Sequence, residues 1–92
     1  MTDSPDHDAP LDAPFAPVTK HSLVIAGHRT SISLEAPFWE ALKELARERN
    51  LSLAALVGEI DDKRGEANLS SALRVFVLRQ TQAKLQTAPL PQ

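Results

Sequence analysis

The six residues from Arg29 to Leu34, Arg-Thr-Ser-Ile-Ser-Leu, combine hydrogen-bonding side chains with the alternation that is typical of a β-strand. Side chains of a strand point to its two faces in turn, so the Arg29 guanidinium shares one face with the hydroxyls of Ser31 and Ser33. The less polar side chains share the other face: Thr30, Ile32 and Leu34. Such a short strand is not stable alone. The pattern therefore predicts a polar strand face in a unit that other elements, and a second copy of the chain, complete.

Residues that could catalyse a reaction are sparse. The chain has no cysteine and no tyrosine, and it contains neither a His-Glu-x-x-His motif nor a phosphate-binding glycine loop. The histidines are His7, His21 and His28, and only the last two lie in the segment predicted to be ordered, too few to converge on a metal, so we expect no metal and no other cofactor. Asp61-Asp62 followed by Lys63-Arg64 indicates a solvated helix end rather than an acid/base pair. An enzyme is therefore the least favoured class of function.

Charge is distributed unevenly along the chain, whose formal net charge is −2. The segment 1–17 contains four aspartates and no Lys or Arg, which gives −4. The remaining residues hold all ten Lys and Arg against eight carboxylates, a balance of +2 that a dimer would double to +4. This mild basicity permits a nucleic-acid partner without requiring one.

The composition also bears on the compartment. Because the chain has no cysteine, disulfides and thiolate metal sites are excluded, and a reducing cytoplasm is the expected location. No apolar run approaches the roughly 20 residues that span a bilayer, so no membrane association is expected. The acidic, proline-rich start has no basic n-region, and we expect no secretory signal.

Two strand-like runs lie on either side of Gly27-His28. A two-residue hairpin at Gly27-His28 pairs Ile25 with Thr30 and Leu23 with Ile32, which puts every large apolar side chain except Val24 on one face. Glycine at the first central position favours a type II′ turn. A bulge at Gly27 is an alternative that also restores the register.

The first two helices are predicted from about Pro37 to Arg49 and from the residue after Ser52. Proline fits the first turn of a helix, and the first helix has an apolar face: Phe38, Leu42 and Leu45. Asn50-Leu51-Ser52 is the break, with Ser52 as the cap of the second helix. The second helix buries a second apolar set: Leu53, Leu56, Val57 and Ile60.

Glycines mark the interior and the end of the second helix. Gly58 inside the second helix is either a glycine that the helix simply tolerates or a sign that a partner helix approaches closely. Lys63 and Arg64 followed by Gly65 are typical of a helix C-terminus.

A third helix is predicted over roughly Ser71 to Leu85, with Ser70 as its cap. Its first half, Ala72 to Leu78, is apolar on every side except at Arg74. Such a helix needs neighbours on several sides, which again favours a dimer.

The stretch from Arg29 to Val57 resembles the ribbon-helix-helix family of DNA-binding proteins, the class that contains the Arc and methionine repressors. A bacterial subgroup of this class with a third helix is also similar, in the wider segment from Ala26 to Glu35, the Phe38-Trp39 pair and the segment from Gly65 to Leu78. The residues that carry the resemblance are Arg29 to Leu34, Phe38, Leu42, Leu45, Asn50 to Leu53, and Leu56. The implied fold is α+β, mostly α: a ribbon-helix-helix dimer with a short N-terminal hairpin or strand.

The resemblance also implies a DNA-binding surface. In this family, two intertwined chains form an antiparallel ribbon that enters the major groove, while backbone N–H groups at the start of the second helix bind a phosphate. Arg29, Ser31 and Ser33 would then face bases, and Ser52 with Leu53 would contact the phosphate. The implied shared core is Thr30, Ile32, Leu34, Phe38, Leu42, Leu56 and Val57.

This chain departs from the family pattern in three features. The hairpin would give each dimer a four-stranded sheet, wider than a groove of about 12 Å accepts, so reading DNA would require the outer strands to lie back from the groove. The strand face has one cation, with Lys20 and His21 as flanking residues. The additional third helix is predicted to stabilise the dimer or to bind a second partner.

Three segments follow from these patterns: a disordered acidic tail over 1–19, a ribbon-helix-helix domain with an appended helix over 20–86, and a disordered tail over 87–92. The acidic tail either solubilises the protein or competes with DNA for the basic surface. The leading hypothesis for function is a homodimeric, cytoplasmic, bacterial regulator of transcription that binds double-stranded DNA. The alternative is a dimeric protein-interaction module, including antitoxin-like binding of a partner, that reads no DNA sequence.

Overall fold

Two antiparallel strands and three helices follow one another in the computed structural model, which describes residues 15–87. The strands are β1 (Val18–Ile25) and β2 (His28–Glu35), and the helices are α1 (Ala36–Glu48), α2 (Leu53–Lys63) and α3 (Leu69–Thr87). This order confirms the α+β, mostly α fold with a hairpin and a third helix. Most of the two predicted tails, residues 1–14 and 88–92, lies outside the described residues.

The hairpin is present, but its predicted turn and register are wrong. Ile25 pairs with His28 and Leu23 with Thr30, and the ladder continues without a bulge to Val18 and Glu35. The turn residues are therefore Ala26 and Gly27, with φ of +53° and +83°. Positive φ at both central positions defines a type I′ turn, whose backbone twist matches that of the flanking strands. The register differs from the prediction by two residues, so each side chain keeps its predicted face.

The inner face of the hairpin lies on the helices. Ile32 and Leu34 of β2 are 2% and 0% exposed, and Ile25 of β1 is also buried. Of the predicted core residues, Thr30 and Phe38 are only half-buried. The buried core is Ile25, Ile32, Leu34, Leu42, Leu45, Ala46, Leu56, Val57, Leu73 and Val77.

The break between α1 and α2 lies where the sequence predicts it. Asn50 adopts a left-handed φ of +59°, its N–H donates to the Arg47 carbonyl, and the Leu51 N–H donates to the Ala46 carbonyl. These two bonds form a Schellman motif, which uses the carbonyls that the helix end leaves free. Ser52 then caps α2, since its hydroxyl accepts the Ala55 N–H at 3.0 Å.

Helix α3 begins earlier than predicted and has a different cap. The side chain of Asn68 accepts the Ser71 N–H at 3.2 Å, so Asn68 takes the role that the sequence predicted for Ser70. The Ser70 hydroxyl instead donates to the Ser33 carbonyl of β2 at 2.7 Å. On the face of α3 that packs on the core, Leu73 and Val77 are buried. The third helix is therefore part of the core that this single chain builds.

Polar contacts also join α3 to α1. The Arg49 guanidinium lies 5.1 Å from the centre of the Phe76 ring and donates to the Gln80 amide oxygen at 2.8 Å. One turn further on, the Lys84 ammonium lies 2.6 Å from a Glu48 carboxylate oxygen. These contacts fix the second half of α3 beside the end of α1.

Gly58, inside α2, lies against the hairpin. A Cβ at this position would be 3.3 Å from the Cγ2 of Ile25, closer than most such contacts. The close approach is therefore to a strand side chain of the same chain, whereas the sequence suggested tolerance or a partner helix. No helix within residues 15–87 is long and apolar enough to cross a membrane.

Candidate nucleic-acid interface

The outer face of the hairpin, on the side away from the helices, collects the predicted base-facing residues. Arg29, Ser31 and Ser33 are all exposed there, as the alternation of β2 requires. We call this surface the outer sheet face. Cross-strand pairing adds the side chains of β1 on the same face: Lys20 opposite Ser33, Ser22 opposite Ser31, and Val24 opposite Arg29.

The positive charge of the outer sheet face is not neutralised by its neighbours. Within the described part of the chain, the side chains of Arg29 and Lys20 take part in no hydrogen bond or ion pair. Glu35, at the end of β2, is bound by Arg74 of α3 with an N–O distance of 3.0 Å. Its own backbone N–H, and then Arg74, lower the pKa of Glu35 below its ordinary value of 4.5. The face thus presents two uncompensated cations and a row of hydroxyls.

The edge of β2 that does not pair with β1 is partly open to another strand. The Ser33 carbonyl points to this edge, because it accepts the Ser70 hydroxyl of α3. Backbone groups alternate in direction along a strand, so the N–H and C=O of Arg29 and Ser31 point to the same edge. No hydrogen bond from residues 15–87 occupies those groups at Arg29 and Ser31. The edge can therefore pair with another strand near the turn and is covered at Ser33.

The start of α2 holds the other two predicted site residues, Ser52 and Leu53. The Ser52 side chain binds the Ala55 N–H, whereas the N–H groups of Leu53 and Ala54 have no acceptor within the helix. The first turn of α2 contains no acidic residue. The partial positive charge of a helix N-terminus makes this end suited to an anion.

The structure does not bring the two parts of the predicted site onto one surface of a single chain. Helix α2 packs behind the sheet, where Gly58 lies against the inward-facing Ile25. Ser52 and Leu53 therefore belong to the helical layer, and Arg29 lies on the opposite side of the sheet. Joining both parts at one DNA would need the geometry of a dimer.

Two residues of β1 differ from the prediction for the polar strand face: His21 does not lie on it, and Ser22 does. His21 was predicted beside the polar face, but it points inward and stacks on Trp39, with ring centres 4.0 Å apart and an interplanar angle of 10°. Lys20 points outward, as does Ser22, which the sequence reasoning did not consider. Alternation along β1 carries this information in either register, because His21 shares a face with Leu23 and Ile25 while Lys20 and Ser22 share the other.

Comparison with known proteins gives the family. A model of the ribbon-helix-helix domain matches residues 18–81, which include both strands and most of α3. No curated protein matches this chain. Among solved structures, an uncharacterized protein from Bordetella pertussis Tohama I is similar with a TM-score of 0.75 and 30% identity, over 91% of this chain and 73% of that chain. The chain belongs to the ribbon-helix-helix domain family.

Proposed function

We propose that this protein is a homodimeric regulator of transcription that binds double-stranded DNA through the outer sheet face. Proteins of the ribbon-helix-helix family are commonly DNA-binding regulators or antitoxins. The observation that carries the proposal is the exposed, unpaired guanidinium of Arg29 beside the hydroxyls of Ser31 and Ser33. The Arg29 guanidinium has no protein partner among residues 15–87 and lies on a face that the helices leave open. It is therefore available to a ligand.

The side chains of this face suit base edges in the major groove. An arginine can donate two parallel hydrogen bonds to guanine, and a serine hydroxyl can donate to or accept from several bases. The N–H groups of Leu53 and Ala54 at the start of α2 would bind a phosphate and set the orientation of the protein. Sequence specificity therefore rests chiefly on Arg29.

Dimerisation would use the open edge of β2. Antiparallel pairing of two such edges would let the Arg29 and Ser31 backbones of each chain bond to those of the other, giving the order β1-β2-β2-β1. The Ser33 carbonyl already accepts one hydrogen bond from Ser70, but a carbonyl oxygen has a second lone pair. The joint sheet would present the outward side chains of both chains on one surface.

DNA binding is tested with a pair of arginine variants. Fluorescence anisotropy would measure the affinity for DNA upstream of the protein's own gene, for the wild type, Arg29→Ala and Arg79→Ala. Arg79 is an exposed arginine of α3, so its variant loses the same charge away from the sheet. Arg29→Ala should abolish specific binding, and Arg79→Ala should bind like the wild type. Equal binding by both variants would reject the outer sheet face.

Dimerisation is tested with a pair of proline variants. Proline at Ser31 removes an N–H from the open edge of β2, whereas proline at its cross-strand neighbour Ser22 removes one from the outer edge of β1. Light scattering after gel filtration should give a monomer for Ser31→Pro and a dimer for Ser22→Pro and the wild type. Circular dichroism verifies that both variants are folded. A dimeric Ser31→Pro, or a monomeric wild type, would refute pairing through β2.

A second candidate, a protein-interaction module, is favoured by the surface of α3. Val75 and Leu78 are 48% and 54% exposed, so the third helix leaves an apolar strip uncovered in the single chain. A partner that is retained at high salt, together with no binding of any DNA, would support this class, because phosphate contacts weaken with salt.

A further inference from the structure

We infer that β1, the strand before the ribbon strand, lies over the phosphates at the wall of the major groove, and that Lys20 binds a backbone phosphate there. This inference rests on the proposed function. It assigns to Lys20 a role in affinity and leaves the reading of bases to Arg29.

The register of the hairpin places Lys20 on the DNA-facing side. Lys20 pairs with Ser33 of β2, and both side chains point outward. Within residues 15–87 the Lys20 ammonium contacts no carboxylate. It is the cation that β1 contributes to the outer sheet face.

The width of the joint sheet then determines what β1 meets. Neighbouring strands lie about 4.8 Å apart, so the outermost axes of a four-stranded sheet are about 14 Å apart. The major groove is about 12 Å wide. The two β2 strands fit between the groove walls, whereas each β1 strand lies above a wall, where the DNA presents phosphates.

The chemistry of β1 fits this position. Its other outward side chains are Val18, Ser22 and Val24, and none is a carboxylate that would repel a phosphate. The valines have no donors for base edges, while lysine is a flexible point charge that suits a phosphate better than a bidentate base contact. β2 thus supplies the base-reading groups, and β1 supplies a cation for a phosphate.

Salt-dependent anisotropy on the whole protein tests this role. Wild type, Lys20→Gln, Arg29→Gln and the control Lys63→Gln, at the exposed end of α2, would be titrated on upstream DNA and on a scrambled duplex between about 0.05 and 0.3 M salt. Two lost phosphate contacts per dimer should reduce the slope of log K against log salt by about 1.8 and the affinity by about 30-fold at about 0.15 M salt. The loss should be equal on both duplexes for Lys20→Gln. Arg29→Gln should lose affinity mainly on the upstream DNA.

The outcomes separate the two proposals. If the wild type binds DNA and Lys20→Gln keeps the wild-type slope, the role of Lys20 is refuted while the regulator stands. A Lys20→Gln loss that is confined to the upstream DNA would also refute it, since this result means base reading. If the wild type binds neither duplex, the proposed function is refuted, and the role of Lys20 with it.

Discussion

Replacing Leu73 by alanine tests whether α3 belongs to the core or is only appended to it. The Leu73 side chain is 0% exposed, so the substitution leaves a cavity among packed neighbours. A fully buried Leu→Ala change lowers the free energy of unfolding by roughly 3 to 5 kcal/mol. A domain of about 70 ordered residues has a total of roughly 4 to 10 kcal/mol. The variant should therefore lose at least about a third of the stability, and its Tm should fall by about 12 °C or more.

Leu85 provides the control on the same helix. It is 74% exposed, so Leu85→Ala should change the free energy of unfolding by less than about 0.5 kcal/mol. Urea denaturation at several protein concentrations measures both variants and separates dissociation of a dimer from unfolding. A Leu73→Ala variant within about 1 kcal/mol of the wild type would contradict the packing of α3 on the core.

Substitutions at three further positions test local features of the fold. Ala26→Asn should raise the free energy of unfolding by about 0.5 to 1 kcal/mol, because Asn tolerates the left-handed φ that strains alanine. Urea denaturation measures this change, and an unchanged urea midpoint would count against the type I′ turn. Glu35 has a lowered pKa, so its contribution to stability is present above pH 4.5 and is lost as the pH falls through that lowered value. Glu35→Gln should flatten this part of the Tm–pH curve, and parallel curves would argue against the bond to Arg74. Gly58→Val should lower the free energy of unfolding by about 1 to 3 kcal/mol, because the valine methyls would overlap Ile25. Gly58→Ala should remain near the wild type, since the better helix propensity of alanine offsets a small displacement of the Ile25 side chain. A valine variant as stable as the wild type would contradict the close approach.

The helices could be predicted well because their signals are local. Pro37 in the first turn of α1, Asn50 past its end and the Ser52 cap each specify backbone geometry within a few residues. The cap of α3 was misassigned because Asn68 and Ser70 are both good capping residues. The Ser70 hydroxyl instead donates to the Ser33 carbonyl of β2. These residues are 37 positions apart, so no local pattern contains this contact.

The faces of the strands could also be predicted, but their register could not. A shift of two residues leaves every side chain on the same face, so polarity does not distinguish the two hairpins. An alanine at positive φ is unfavourable, so local preference favours the predicted turn at Gly27-His28 over the observed one. The observed turn follows directly after Ile25, whose packing on Gly58 of α2 is a tertiary contact. The inward position of His21 follows from alternation with Leu23 and Ile25, and only its stacking on Trp39 is a tertiary contact that the sequence does not contain.

The Ser70–Ser33 hydrogen bond has a consequence for how the protein associates with itself. It occupies the edge at Ser33 and leaves the backbone of Arg29 and Ser31 open beside the turn among residues 15–87, so a foreign strand can form few bonds there. Long exposed strand edges template fibre growth, and a helix side chain bonded to the edge backbone shortens that template. Association at this site is therefore limited to a short stretch of backbone beside the turn, which favours a closed assembly over an open-ended polymer.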